Sequence, residues 1–500
     1  MKRFKLLSVL LAFSVSFNLF AADQPNILLF LVDDMGVMDT SQPMLADDDG
    51  QPVKHPLNDF YRTPAMESLA KNGLCFSQFY ANSVCSPTRA SIMTGQTSAR
   101  HKTTQWISPG RRNTGGSGPK NWNWHGLKKT SVTLPRILQA AGYRTIHSGK
   151  AHFGPKKSEG ANPENLGFDI NIAGCSYGSP GSYFGKENFG AGGKRSKRAI
   201  PGLEQYHGKD IFLTEALTVE INKSITTAVK EDKPFFAYMS HYAVHSPFQS
   251  DPRFEKNYES SDKNDDAKKY ATMIEGMDKS LTDIMANIEK LGVAENTLVI
   301  FLGDNGSDGP LGSAHGYSSS APLRGKKGTS YEGGMRVPFI ASWAKPSEKS
   351  KIQKKFPIKQ GLLHDEFSSV CDLLPTILEV TDTKAAGDHK IDGNSLWDYF
   401  AGKKNVNPQK FLMHFPHNHR SSYFTAYREK EWKLIYNWTR PQEKRYELFN
   451  LTTDPIEKNN LAETEPKMLK SMLAAMKREL DAASAQYPVE GKSQTPLKFE

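Results

Sequence analysis

Four short polar clusters in the 500-residue chain carry side chains able to do chemistry together: Asp33-Asp34, Gly149-Lys150-Ala151-His152, the run His241 to Pro247 (HYAVHSP) that includes His245, and Gly303-Asp304-Asn305-Gly306. Adjacent carboxylates joined by a distant Asp-Asn pair form an all-oxygen ligand set, which suits a hard divalent cation such as Ca²⁺, with Mg²⁺ as the alternative. Each piece alone has a plainer reading. Asp33-Asp34 also fits a helix cap or a turn, and Asp304-Asn305-Gly306 is an ordinary turn signal. A fifth segment, 84–95 (VCSPTRASIMTG), places Cys85 just before a helix that Pro87 opens, where backbone N–H groups favour an anion. A lone thiol there is either a nucleophile of lowered pKa or a small buried residue.

Each of the four polar clusters follows a short apolar run: 26–32 (NILLFLV), 143–147, 234–240 (PFFAYMS) and 297–302 (TLVIFL). Amphipathic helical patterns fit 64–72, 131–141, 213–229 and 266–291. Strands alternating with helices predict an α/β fold with a large, mixed but mostly parallel sheet flanked by helices, whose ligands bind beyond the carboxyl ends of the strands. The Gly-, Ser- and Lys-rich stretch 155–205 reads as a long surface excursion. From about residue 411 the pattern changes to alternating runs at 423–428, 432–437 and 445–450, then a helix over 466–485. This predicts a small C-terminal antiparallel-sheet-plus-helix subdomain. The expected division is a signal at 1–21, a catalytic domain at 22–410 and a C-terminal subdomain at 411–500, with 487–500 as a tail.

The first residues, MKRFK, then an apolar run of about fifteen and Ala21-Ala22, read as a secretory signal, the run being shorter than the roughly twenty residues of a membrane span. The formal net charge of +10 falls by three to +7 when Lys2, Arg3 and Lys5 leave with it. Export argues against a nucleic-acid partner and for a polyanion met outside the cytoplasm. Four scattered cysteines exclude a disulfide scaffold and a structural zinc site; Cys75, Cys175 and Cys371 are expected as buried thiols, with one disulfide pair left open by export.

The segment Cys85-Ser86-Pro87-Thr88-Arg89 with Thr94-Gly95 resembles the C-x-P-x-R signature of type I (formylglycine-dependent) sulfatases of the alkaline phosphatase-like superfamily. Pro25 to Gly36 resembles that family's first strand with two metal aspartates. Gly149 to Gly154 resembles its G-K-W-H-x-G element with Ala151 for Trp, and Val244-His245-Ser246-Pro247 its P-H-x-P element with Val244 for Pro. Asp304-Asn305-Gly306 matches its D-N-G element, and 323–334 a segment whose lysine contacts sulfate, here Lys327 rather than Lys326. The run 446–461 is similar to its C-terminal element.

The resemblance implies that Cys85 is converted by a maturase to formylglycine (3-oxoalanine), used as a hydrate. It implies a cation on Asp33, Asp34, Asp304, Asn305 and residue 85, with Lys150 and Lys327 on the sulfate oxygens. Arg89 and His152 would orient the hydrate, and His245 would protonate the departing alcohol. His315, His414, His417, His419 and Arg420 are candidates for lining the sugar pocket, and Trp106, Trp122 and Trp124 for stacking on it. The implied activity is removal of sulfate from an exported sulfated oligo- or polysaccharide, with algal galactans such as carrageenan preferred. A phosphoester or phosphonate hydrolase, and an unmatured sulfated-glycan binding protein, are the competing readings.

Overall fold

The computed structural model describes residues 24–47, 49–103, 115–311, 319–406, 410–418, 420 and 423–499. The N-terminal stretch expected as an export signal lies outside them, as do Trp106, His315 and His419. Among the described residues no helix is long and apolar enough to cross a membrane.

Eight strands form the large sheet: β1 (Asn26–Val32), β2 (Leu74–Tyr80), β3 (Arg144–Gly149), β4 (Ile170–Ile172), β5 (Phe235–Ser240), β6 (Thr297–Gly303), β7 (Phe339–Trp343) and β8 (Leu362–Ser369). Their order is β8-β2-β7-β6-β1-β5-β3-β4. All neighbours run parallel except β7, which is antiparallel to both β2 and β6.

Helices cover both faces, which is why β1 is apolar at every position after Asn26. Leu28, Phe30 and Val32 of β1 join one core cluster with Leu217 and Ile221 of the helix Leu213–Lys230, and with Met277 and Leu281 of the helix Asp265–Lys290. Ile27, Leu29 and Leu31 point the other way, toward Leu134 and Leu138 of the helix Leu134–Ala140 and Leu373 and Ile377 of the helix Leu373–Val380. The period-2 alternation of one strand thus serves two cores. The helix Asp265–Lys290 does a second job. Its Asp278 accepts from the backbone N–H groups of Ala65 and Met66, both at 2.9 Å, and so caps the helix Pro64–Asn72, whose own N-cap Thr63 makes no such bond.

The small sheet is an antiparallel meander of β9 (Lys410–Phe415), β10 (Phe424–Glu429), β11 (Trp432–Asn437) and β12 (Tyr446–Asn450). Tyr427, Leu434, Tyr436 and Leu448 pack on Met472, Met476 and Leu480 of the helix Pro466–Ala482. The opposite face, Met413, Phe415, Ala426, Ile435 and Phe449, packs on Tyr80, Val84 and Met335 of the larger unit. Val84 precedes Cys85, so the small sheet buttresses that segment directly.

Two expectations are corrected. The stretch 155–205 is no mere surface excursion, because Tyr183, Phe189 and Leu203 are fully buried in the first core cluster. Residues 487–499 are not a free tail: Tyr487 and Phe499 pack on Trp438 and Tyr436, with ring centroids 4.6 and 4.7 Å apart.

Candidate active site

The carboxyl ends of β1, β3, β5 and β6 converge, and backbone bonds lock the four polar clusters together. Asp33 donates to Ala243 O at 2.9 Å and Val244 donates back to Asp33 O at 2.7 Å. Asp34, at φ 62°, donates its N–H to Asp304 Oδ1 at 3.0 Å. Gly149 ends β3 at φ +99°, where a Cβ would lie 1.9 Å from Ser240 O, and the next residue, Lys150, donates to that same carbonyl at 2.6 Å. Only glycine permits this approach. Gly306 meets a similar demand, since a Cβ would stand 2.0 Å from Gly333 O. The D-N-G and G-K sequences are therefore backbone-packing requirements as well as sources of side chains.

A buried ionic lattice fills the convergence. Lys150 Nζ is 2.6 Å from Asp33 Oδ2, and Lys327 is ion-paired to Asp34 Oδ1. Arg89 donates through Nε and Nη2 to Asp304 Oδ2 at 3.0 and 2.8 Å, and through Nη1 to Lys150 O at 2.7 Å and Ser240 Oγ at 2.5 Å. These bonds tie Arg89 to Asp304 and to Lys150 O and use four of its five N–H groups. Cys85 is the first residue of the helix Cys85–Thr94, with Pro87 its third. Cys85 Sγ and Ser86 Oγ both lie 3.3 Å from His152 Nδ1. His245 Nδ1 donates to Ser246 O at 2.9 Å, which leaves Nε2, 3.6 Å from Asp34 Oδ2, as the nitrogen that takes up or gives a proton.

These residues fit a cation. One ligand atom each from Asp33, Cys85 and Asp304 fall within 4.8 Å of one another, all buried. Asp33 Oδ1 and Asn305 Oδ1 are buried acceptors with no hydrogen-bond partner among the described residues. The Asn305 amide donates its Nδ2 to Asp34 Oδ1 at 3.0 Å, which leaves Oδ1 for something else. Orphaned buried oxygens are costly unless a donor or ion answers them.

Burial pushes the Cys85 thiol up, outweighing the pull of Lys150 and Lys327. Of the two plainer readings of Cys85, its burial matches the second. Burial, then Lys150 and Arg89, hold the His152 imidazole well below its usual range, so it is neutral. Burial likewise lowers His245 to about 3 despite the opposing charge of Asp34. Burial alone would raise Asp34, but Lys327, His245 and Lys150 hold it below the usual carboxylate range.

Other expected residues lie elsewhere. His414 is fully buried, with Nδ1 on Thr425 Oγ1 at 2.7 Å and Nε2 on Gln486 O at 2.9 Å, so it ties β9 to its surroundings and does not line a pocket. His417 is also buried, stacked on Phe415 and edge-on to Trp124. Trp122 is 3% exposed and closed off from a sugar. Three contributors were not anticipated. Ser240, the last residue of β5, joins Arg89 to Lys150 O. The Tyr183 hydroxyl sits 2.7 Å from His245 O. The Tyr270 hydroxyl donates to Asp34 O at 3.1 Å. Only Ser240 carried a sequence signal, its place at a strand end.

The sulfatase family model matches residues 25–383. The chain belongs to the sulfatase family. A second model, described as the C-terminal region of N-sulphoglucosamine sulphohydrolase, matches residues 326–486. This sulfatase is 25% identical to arylsulfatase J of Mus musculus over 95% of this chain and 79% of that protein. It is 27% identical to a sulfatase of Formosa agariphila over 89% and 86%. The solved structure of Ps i-CgsB matches with TM-score 0.70 at 25% identity, covering 91% of this chain and 93% of that one, and the same protein has been solved with k-i-k-neocarrahexaose. The protein is a sulfuric ester hydrolase, and its mixed eight-stranded sheet with a separate four-stranded one is the fold of these neighbours.

Proposed function

We propose that this sulfatase removes sulfate from an exported sulfated polysaccharide of the carrageenan type, using formylglycine made from Cys85 and a Ca²⁺ or Mg²⁺ ion. The observation that carries the reading is the meeting of Cys85 with Asp33 and Asp304 inside a ring of three buried cations, Lys150, Lys327 and Arg89. A sulfate ester repels nucleophiles by its own charge, so positive groups must neutralise it first.

Asp33, Asp34, Asp304 and Asn305 would hold the ion, whose charge, with the oxygen nucleophile that formylglycine provides at residue 85, supplies the chemistry no thiol can. Lys150 and Lys327 leave their carboxylate partners far enough to reach sulfate oxygens. His152 Nδ1, already 3.3 Å from the residue 85 side chain, accepts a proton there. His245 Nε2 gives a proton to the departing sugar oxygen. For that it must carry a proton on Nε2 in the complex, a state that the negative charge of a bound sulfate ester favours. Arg89 holds Asp304 and Lys150 in register.

The substrate class rests on the neocarrahexaose complex of Ps i-CgsB and on the basic balance of this chain, +10 in the full sequence. Sulfate release from a panel of defined carrageenan, fucan and glycosaminoglycan oligosaccharides tests it. Turnover greatest on the carrageenan members supports the reading; turnover confined to glycosaminoglycans, or to phosphate esters, overturns it.

A further inference from the structure

Above the buried Lys327 lies a polar rim that the steps above do not use. Arg420, from the segment before β10, donates through Nη1 and Nη2 to Asp308 Oδ1 and Oδ2 at 3.0 and 2.9 Å. Its Nη1 also donates to Lys327 O at 3.2 Å. The aliphatic stem lies over Gly328, where a Cβ would meet Arg420 Cδ at 2.5 Å, so the stem is seated rather than waving in solvent. Asp308 follows the Asp304-Asn305-Gly306 turn, and Lys326 Nζ is 3.7 Å from its carboxylate. The Arg420 side chain is 35% exposed and Lys326 61%, whereas Lys327 is 1% exposed. Asp34 and Cys85 both contribute to the electrostatic environment of Arg420. The guanidinium is thus part-exposed while bonded to the backbone of the buried Lys327.

Its donor count is informative. A guanidinium has five N–H groups in a planar fork. Asp308 takes one from each Nη, and Lys327 O takes the second from Nη1. The edge formed by Nε–H and the second Nη2–H has no partner among the described residues. That edge has the bidentate geometry which carboxylates and sulfates accept. Asp308 fixes the plane of the group and so reduces the entropy a ligand must overcome to use it.

We propose that Arg420, held by Asp308, reads a second anionic group on the substrate, a sulfate or carboxylate on the same or a neighbouring sugar ring. The scissile sulfate goes to Lys150 and Lys327, and Arg420 selects among substrates by what else they carry. This inference rests on the sulfated-glycan reading of the site and adds to it a preference for substrates with more than one anionic group. The choice of Arg is chemically meaningful, because lysine offers a point charge without the second parallel donor.

The test measures binding and turnover separately. Affinities for matched disulfated and monosulfated carrageenan oligosaccharides are determined by calorimetry in a Cys85→Ala background, with and without Arg420→Ala, Arg420→Lys or Asp308→Asn. The expected result is a preference for the disulfated member of at least tenfold, lost in Arg420→Ala and reduced in Arg420→Lys and Asp308→Asn. A preference that survives Arg420→Ala overturns the proposal, as does an equal loss of affinity for both sugars. Equal loss would show that the residue only supports Lys327 through its carbonyl. Should Arg420→Ala fold poorly, Arg420→Lys decides: a diminished preference for the disulfated member supports the proposal, and an undiminished one overturns it. Turnover of the same pair by the matured protein is read independently: if neither is hydrolysed, the functional reading fails, while the binding ratio still decides the role of Arg420.

Discussion

Arg89 and Asp304 meet with two guanidinium donors on one carboxylate oxygen, at 3.0 and 2.8 Å, and neither side chain is exposed. The bond joins the helix that begins at Cys85 to the turn after β6, elements separated by more than two hundred residues in the chain. Because Arg89 also holds Lys150 O and Ser240 Oγ, one side chain sets the mutual positions of the helix, β3, β5 and β6. It leaves Asp304 Oδ1 to accept from Asp34 N.

Removing one partner of such a buried pair leaves an uncompensated charge, with a typical cost of about 3–5 kcal/mol. Arg89→Met should therefore lower unfolding free energy by that order in urea titration, and Arg89→Lys should lose sulfatase activity while retaining part of the stability. Wild-type stability in Arg89→Met would contradict this role.

Gly149→Ala tests the backbone geometry. A Cβ at φ +99° and 1.9 Å from Ser240 O must displace one strand end, and Lys150 moves with it. Misplacement by about 1 Å near the reacting atoms costs on the order of 10²-fold in rate. We expect kcat to fall by about that factor, with melting temperature lowered as well; kcat within twofold of wild type would refute the claim.

The cation site predicts a stability response. An ion that binds only the folded chain stabilises it by about 2.7 kcal/mol at one hundred times its Kd. Ca²⁺ added to chelator-treated protein should raise the melting temperature, and Asp33→Asn, which alters the carboxylate whose Oδ1 has no hydrogen-bond partner among the described residues, should abolish the increase. An undiminished rise in that variant would place the ion elsewhere.

Stability should also carry a pH signature away from the site. Burial raises Asp278 to about 7 from 3.8 although it accepts from Ala65 and Met66. The folded chain then holds a proton that the unfolded chain releases between those values, so this group's contribution to stability is full below about pH 4 and is lost as pH rises through about 7. Unfolding free energies at a series of pH values should show Asp278→Asn with a less negative slope across that window. An unchanged slope would show that Asp278 is not the source.

Much of this architecture was legible in the sequence where a strand is buried on both faces and ends at a polar cluster. Asn26–Val32 and Thr297–Gly303 are such strands, the second found one residue longer than its apolar run. Expected 143–147 proved to be Arg144–Gly149, because the glycine needed at the close approach to Ser240 still belongs to the strand. Strands β2, β4, β7 and β8 were missed, β4 having only three residues within the stretch read as a surface excursion. LCFSQFY and LLHDEFSS mix polar with apolar residues, β8 lies at the sheet edge, and β7 has only five residues. The acidic and basic residues of the site were found because each directly follows a strand or sits in a recognisable motif. Tyr183 was not, since its burial arises from a Gly-rich stretch folding back onto the first core. His414 was misjudged for a related reason: Thr425 and Gln486 satisfy it, and neither contact is visible from local composition.

The most direct test of the central claim is mass spectrometry of the peptide containing Cys85, from protein isolated from its native host and shown to release sulfate. The expected result is the aldehyde mass of formylglycine at residue 85 in the active protein, with Cys85→Ala inactive but folded. An unmodified thiol at residue 85 in a preparation that hydrolyses sulfate esters would contradict it.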